Sequence, residues 1–186
     1  MFALDGSDSL NKNQFVKIKE LVKAIIENYT ISESETNVGI VEYSNKAKVI
    51  LSLNALFEAD AIKDKVDLII PSGGKDTVTD EALRKSTNDV FDVKAGGRPG
   101  ASKVLIIITD GKSTGKEPPK RAVKPAKEKG VRVYVVNIGK DTDPNEIKDI
   151  VPTEKNIHNA NTPKELPSIA SKLAEDIEKD IKKREL

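Results

Sequence analysis

Two nearly uninterrupted apolar runs constrain the fold of this 186-residue chain more than any other feature of its sequence. Residues 104–108 read VLIII, and residues 131–139 read VRVYVVNIG. A strand that is apolar at almost every position has to be buried on both faces, as the central strands of a helix-covered parallel sheet are. The two runs therefore predict the middle of a parallel sheet.

The segments between the predicted strands have helical patterns. Apolar residues recur at steps of three and four over about residues 13–29, and similar patterns occupy residues 58–70, 77–91 and 118–130. Pro125 lies inside the last of these segments and is expected to kink or shorten the helix there. Asp143 and Pro144 form an N-cap and a first helical position, so they predict the start of a short helix.

A long C-terminal helix is predicted from the apolar stripe that runs from Leu166 to Ile181. Its last turns carry cations, which the helix dipole favours, at Lys179, Lys182, Lys183 and Arg184. The stripe is long enough to anchor this helix, so we expect it to have one resting position.

The N-terminal third contains a hairpin instead of a helical crossover. Residues 37–43 (NVGIVEY) and 47–53 (AKVILSL) are short β-branched runs separated by SNK. Elsewhere strands alternate with helices, which predicts a doubly wound α/β fold: a mainly parallel sheet, one antiparallel edge strand and helices on both faces. The length fits one domain spanning residues 1–186.

The composition disfavours several classes of function. The net charge of +1 argues against a dedicated binder of nucleic acid, and no apolar run is long enough for insertion into a membrane. Cysteine is absent, and the single histidine, His158, is expected to be structural or solvent-facing. A single histidine therefore disfavours both a catalytic triad and a multi-histidine metal site.

Oxygen-bearing side chains follow two of the predicted strands. Asp5 ends the first strand and is followed at alternate positions by Ser7 and Ser9, while Asp110 ends the central strand. Ligands of such sheets bind outside the carboxyl ends of the strands, where two carboxylates repel each other unless a cation lies between them. Mg²⁺ accepts this kind of oxygen set. An ordinary polar turn that caps the next helix explains residues 5–9 equally well.

Three separated motifs together resemble von Willebrand factor type A domains, the fold of the integrin I domain. They are DGSDS at residues 5–9, the first threonine (Thr77) of GGKDTVTDEAL at residues 73–83, and the aspartate (Asp110) of IIITDGKS at residues 106–113. The resemblance implies a metal-ion-dependent adhesion site formed by Asp5, Ser7, Ser9, Thr77 and Asp110, with Mg²⁺ or Mn²⁺ bound and Ca²⁺ as an alternative. Thr79 competes with Thr77, but the family pattern uses the first threonine of the pair.

The chain also departs from the family pattern. The first strand begins almost at Met1, which suggests a fragment of a larger protein, and the cysteines that often join the termini are absent. The extra helix of collagen-binding integrin domains has no counterpart here. This absence argues against transferring the collagen-binding mode of those integrin domains to this chain.

The function that the resemblance implies is extracellular adhesion, either in a secreted matrix protein or in the ectodomain of a surface protein. The sequon at Asn28 favours secretion and predicts a glycosylation site. An intracellular scaffold of the same fold is the alternative. An enzyme is disfavoured because the chain has no phosphate-binding loop of the G-x-x-x-x-G-K-[ST] type, and its GGRPGA segment precedes a strand.

The expected partner is a protein that presents a glutamate or aspartate to the metal, and collagen is one candidate. The rim of the site is expected to include Asp76, Lys112 and Ser113, which lie in the same loops as the predicted ligands. These residues would set specificity around the shared metal contact.

Overall fold

The computed structural model describes residues 1–139 and 143–183, and its centre is a six-stranded sheet. The strands are β1 (Phe2–Asp5), β2 (Ile40–Tyr43), β3 (Ala47–Leu51), β4 (Val104–Thr109), β5 (Arg132–Ile138) and β6 (Ile157–Ala160). Their order is β3-β2-β1-β4-β5-β6. All neighbouring pairs are parallel except β2 and β3, which form the predicted hairpin. The predicted fold class is confirmed.

Helices cover both faces of this sheet. They are α1 (Lys12–Ile26), α2 (Ala59–Asp67), α3 (Thr79–Lys85), α4 (Pro119–Ala122), α5 (Lys124–Glu128), α6 (Pro144–Ile150) and α7 (Leu166–Lys182). One apolar core lies between the sheet and α1, α2 and α7, and a second lies between the sheet and α3 to α6. The central strands contribute to both cores, which explains why their sequences are almost continuously apolar.

The helix starts follow their capping residues. Asn11 and Gln14 form a capping box at α1, in which each side chain accepts a hydrogen bond from the other residue's backbone N–H (3.0 and 2.8 Å). Asp143 caps α6 by accepting from Asn145 N at 2.9 Å, and Pro144 is the first helical residue as predicted. These caps fix where the loops at the carboxyl edge of the sheet enter the helices.

Several predicted helix bounds were wrong. The helices α1 and α2 end at Ile26 and Asp67 instead of residues 29 and 70. The segment 77–91 is a short α3 followed by a turn of π-helix at Ser86–Val90, where Thr87 Oγ1 donates to Leu83 O at 2.7 Å. A hydroxyl that bonds to the preceding turn competes with regular helical hydrogen bonding and permits such a widened turn.

The second half of the chain confirms one expectation and adds one strand. As expected at Pro125, the helix in segment 118–130 is shortened: it divides into α4 and α5 around Val123, and Pro125 occupies the first turn of α5, where its missing N–H costs little. The strand β6 was not predicted, because its four residues, IHNA, are too short and too polar to show a strand pattern.

The long α7 packs against α1, with Leu166, Ile169, Leu173 and Ile177 buried and Ile181 partly buried. Near its end, Tyr134 Oη donates to Asp180 Oδ2 at 2.8 Å and joins the helix to β5. Lys179 and Lys182 lie in the last turn as predicted, whereas Arg184 and the rest of residues 184–186 lie outside the described part of the chain. Within the described ranges, no helix combines the length and the apolar character that a membrane span needs.

Candidate metal centre

Asp5 is fully buried at the end of β1, where two hydrogen bonds orient its carboxylate. Its Oδ1 accepts from Ser7 N at 3.0 Å, and its Oδ2 accepts from Thr109 Oγ1 at 2.8 Å. Burial raises the pKa of this carboxyl, and the hydrogen bonds from Ser7 and Thr109 lower it in part. A buried carboxylate with no cationic side chain among these partners is a strong attractor for a cation.

The two serines of the β1–α1 loop contact each other and the loop that follows β4. Ser7 Oγ and Ser9 Oγ are 2.8 Å apart, and Ser9 Oγ donates to Asp110 Oδ1 at 2.9 Å. Residues separated by about a hundred positions in the chain thus place three side-chain oxygens in one continuous row. The alternating Asp5, Ser7 and Ser9 pattern is therefore more than a helix-capping turn, because α1 is capped by Asn11.

Thr77 lies in a third loop, which is bonded to the loop after β4. Its backbone N donates to Thr114 Oγ1 at 2.9 Å, and its carbonyl accepts from Thr114 N at 3.0 Å and from Ser113 Oγ at 3.3 Å. A Cβ atom on Gly111 would lie 3.8 Å from Thr77 Oγ1, so the Thr77 hydroxyl is close to the residue that follows Asp110.

Thr79, the competing threonine, is the buried first residue of α3 and lies beside the Tyr43 ring. Burial and the negative charge of Asp5 raise the pKa of Tyr43 well above its usual value, which keeps the phenol neutral. Tyr43 is the register partner of Asp5 in β2, so a neutral phenol stands beside that carboxylate.

The three predicted rim residues lie in these loops, and each has an intramolecular partner. Asp76 Oδ1 accepts from Thr114 Oγ1 at 3.2 Å, and Lys112 Nζ is 3.2 Å from Asp143 Oδ2. That pair adds to the Asn145 backbone hydrogen bond in holding the pKa of Asp143 below its usual value. Lys112 nevertheless keeps 65% of its side chain exposed and can change partner.

Ser113 N, also on the rim, donates to the carboxylate of Glu146 at 3.0 Å. Burial raises the pKa of Glu146, and the Ser113 hydrogen bond lowers it in part. Glu146 lies in the first turn of α6. Its contact with the loop after β4 could not be read from the sequence, because the two residues are 33 positions apart.

The oxygen donors at this edge fit a hard divalent cation. Two carboxylates and three hydroxyls occupy three adjoining loops, and the hydrogen bonds among Ser7, Ser9 and Asp110 show that their oxygens converge. Over residues 1–139 and 143–183, no group of three or more carboxylate, histidine or cysteine side chains is placed to hold a metal. The oxygens next to the Asp110 carboxylate in the described residues include the hydroxyl of Ser9, which in turn contacts that of Ser7.

Two other residues considered in the sequence lie elsewhere. His158 is buried in β6, with Nε2 3.8 Å from Asp176 Oδ2 of α7, and burial lowers its pKa. Asn28 is exposed after the end of α1, where its Nδ2 donates to Ala24 O at 2.7 Å. Neither residue contributes to the site at the carboxyl edge.

Oxygen-bearing loops at the carboxyl edge of a doubly wound, mostly parallel sheet define a class of α/β domains that bind their ligands at that edge. The chain belongs to the von Willebrand factor type A domain family, whose family model matches residues 1–172.

Curated relatives include a matrilin and a collagen chain. The chain is 31% identical over 150 residues to matrilin-1 of Gallus gallus, covering 81% of this chain and 30% of that protein. It is 31% identical over 161 residues to the collagen alpha-1(XX) chain of Mus musculus, covering 86% of this chain and 12% of that protein. The chain thus spans less than a third of the length of either relative.

Solved structures agree with the fold. Proximal thread matrix protein 1 from the mussel byssus superposes with a TM-score of 0.90 at 25% identity, covering 95% of this chain and 47% of that chain. A further structure of the mussel protein, with a TM-score of 0.89 and 25% identity over 95% of this chain and 47% of that chain, is described as having a zinc-occupied MIDAS motif. MIDAS is the metal-ion-dependent adhesion site.

Proposed function

We propose that this domain is a non-enzymatic, extracellular protein-binding module of a matrix or surface protein. It holds a divalent cation through Asp5, Ser7, Ser9, Thr77 and Asp110 and binds its partner through that cation. The observation that carries the proposal is the row of contacts from Ser7 through Ser9 to Asp110, because these oxygens converge from separate loops.

The partner group is a carboxylate from glutamate or aspartate. Only Asp5 and Asp110 of the proposed ligands carry charge, and both oxygens of Asp5 already accept hydrogen bonds from Ser7 and Thr109. A cation held mainly by neutral hydroxyls stays electron-poor, so it favours an additional anionic oxygen. The domain itself offers no third carboxylate for this position among its described residues.

Mg²⁺ is the expected physiological ion, with Mn²⁺ as a substitute. An all-oxygen donor set suits Mg²⁺, Mn²⁺ and Ca²⁺, whereas zinc also accepts nitrogen and sulfur ligands. The zinc in the mussel protein supports a divalent site at this position of the fold without deciding which ion this chain uses.

The relatives, which include matrilin-1 and a collagen chain, support the proposed matrix setting. The chain is proposed to be one domain, residues 1–186, of a larger secreted or surface protein, with collagen as one candidate partner. Exposed Asn28 is the proposed glycosylation site. Asp76, Lys112 and Ser113 are proposed to contact the partner around the metal.

The first experiment measures the metal alone. Titration calorimetry with MgCl₂ and MnCl₂ should detect binding to the parent domain and a loss of binding in Asp110→Asn and Thr77→Ala. Matched controls are Asp60→Asn, at a carboxylate that is 92% exposed on α2, and Thr30→Ala, at an exposed threonine after α1. Undiminished affinity in Asp110→Asn would refute the ligand assignment.

The second experiment measures the partner contact. A triple-helical collagen-like peptide containing glutamate should bind in Mg²⁺, release in EDTA and bind again when Mg²⁺ is restored. The same peptide with glutamine in place of glutamate should bind weakly under all conditions. Equal binding of both peptides in EDTA would show that the domain uses another surface.

A further inference from the structure

Glu42 is a buried carboxylate of β2 that belongs to none of the sequence motifs. It is 1% exposed, and both of its oxygens accept hydrogen bonds from one residue: Oε1 from Ser72 N and Oε2 from Ser72 Oγ, each at 2.8 Å. Lys48 Nζ donates to the same Ser72 Oγ at 3.2 Å. Among the ion pairs formed by the described residues, none includes Glu42, and its side-chain hydrogen bonds go to Ser72.

The turn that carries the two ligand serines rests directly on this carboxylate. A Cβ atom on Gly6 would lie 2.1 Å from Glu42 Oε1, well inside any normal contact distance. A side chain at position 6 would therefore have to displace the Glu42 carboxylate from its place beside this turn. The carboxylate and the backbone between Asp5 and Ser7 occupy adjoining space.

Ser72 and the two glycines after it form a segment, residues 72–74, that connects Glu42 to the ligand loop. Gly73 N donates to Gly6 O at 2.8 Å, and Asp8 N donates to Gly74 O at 2.9 Å. These hydrogen bonds lie on either side of Ser7, which itself forms a bridge with Gly74. The segment 72–74 therefore fixes the backbone that presents Ser7.

A carboxylate suits this position better than an amide. Ser72 offers two donors, a backbone N–H and a hydroxyl, and each oxygen of the carboxylate accepts one of them. A glutamine has one acceptor oxygen, so its NH₂ group would have to donate to Ser72 Oγ, which already accepts from Lys48 Nζ. The negative charge of Glu42 also lies in the buried interior, where charges are screened less than in water.

We propose that Glu42 is a positioning residue of the metal centre: through Ser72 it orders the segment 72–74, which holds Ser7 in place to bind the cation. The inference rests on the proposed function, because it assigns Glu42 a role toward that same cation. Glu42 does not contact the ion in this role. It sets the geometry of the loop and adds negative potential behind it.

The test compares Glu42→Ala, which removes both acceptors, with Glu42→Gln, which keeps the shape and one acceptor. Loss of a residue that orients metal ligands typically weakens metal affinity by about 10–100-fold. We expect a change of that size in the Mg²⁺ and Mn²⁺ dissociation constants of Glu42→Ala, and a smaller change in Glu42→Gln. Calorimetry on folded variants measures it.

Two controls separate positioning from a general loss of stability or charge. Ile25→Ala destabilises the core near the far end of α1, and Glu33→Gln removes an exposed carboxylate. Both should retain the parent's metal affinity. If Ile25→Ala weakens metal binding as much as Glu42→Ala does, the effect is one of global stability and the proposal is wrong.

A second readout needs no metal. In metal-free protein, the amide hydrogens of Gly73 and Asp8 should exchange faster in Glu42→Ala than in the parent, with partial protection in Glu42→Gln. Unchanged exchange would overturn the positioning role even if the parent binds metal. If exchange is faster in Glu42→Ala but the parent binds neither Mg²⁺ nor Mn²⁺, the proposed function is wrong and the conclusion that Glu42 orders the loop still holds.

Discussion

Replacement of Leu173 by alanine tests how firmly α7 is held against the domain. Leu173 has no exposed surface and belongs to the core formed by the sheet, α1 and α7. Removing a fully buried leucine side chain costs about 2–5 kcal/mol, since both transfer energy and packing are lost. Small domains have total stabilities of about 5–15 kcal/mol, so this variant loses a large fraction.

Urea denaturation followed by circular dichroism measures this loss, and thermal unfolding should show a decrease in Tm of about 4–20 °C for a chain of this size. Val93→Ala is the matched control, because Val93 is 68% exposed and its truncation should change stability by less than about 0.5 kcal/mol. A loss below about 1 kcal/mol in Leu173→Ala would refute the inference that α7 packs at this position.

The same variant tests the expectation of a single resting position for α7. If the helix does not slide, loosening its packing leaves the distant carboxyl-edge loops unchanged. The Mg²⁺ affinity of folded Leu173→Ala should then equal that of the parent. A tenfold change would show that α7 is coupled to the metal centre, contrary to this expectation.

Three further predictions follow from single contacts. Burial lowers the pKa of His158 below its ordinary value of 6.5, so the unfolded chain binds the proton more readily and the stability of the fold should decrease as pH drops below about 6.5. Urea midpoints measured between pH 7.5 and 5.5 should depend less on pH in His158→Gln than in the parent, and an equal dependence would exclude the histidine as the cause. Thr109→Val removes the hydroxyl that donates to Asp5 Oδ2 and should weaken Mg²⁺ binding in calorimetry, whereas unaltered affinity would show that Asp5 needs no such support. Gly115→Ala should lower Tm, because its Cβ would lie 1.8 Å from Asp80 Oδ1, and an unchanged Tm would mean that the loop relaxes freely.

The candidate site was predictable in part because its residues follow strands. Asp5 and Asp110 end strands whose apolar patterns are plain in the sequence, and parallel strands bring their carboxyl ends to one edge. The alternating spacing after Asp5 pointed to Ser7 and Ser9, and the family resemblance selected Thr77 over Thr79; the role of all three as metal ligands stays a prediction. What the structure adds is the contact between Ser9 and Asp110, 101 positions apart.

Local sequence determined the elements whose signals are local. The apolar runs of β4 and β5, the stripe of α7 and the caps at Asn11 and Asp143 each depend on neighbouring residues, and each is observed where its pattern lies. The π-helical turn after α3 and the short β6 were missed, because packing in the assembled domain stabilises them more than their own sequences do.

Only the tertiary structure decided the roles of Glu42 and Thr109. In the sequence Glu42 is one charged residue in a strand and Thr109 is the last residue before an Asp-Gly turn. Their partners, Ser72 and Asp5, are 30 and 104 positions away, and strand order and register bring them together. A single sequence contains no periodic pattern that reveals hydrogen bonds between such distant residues. These hydrogen bonds, which hold the loops around Asp5 and Gly6, form only when the sheet is assembled.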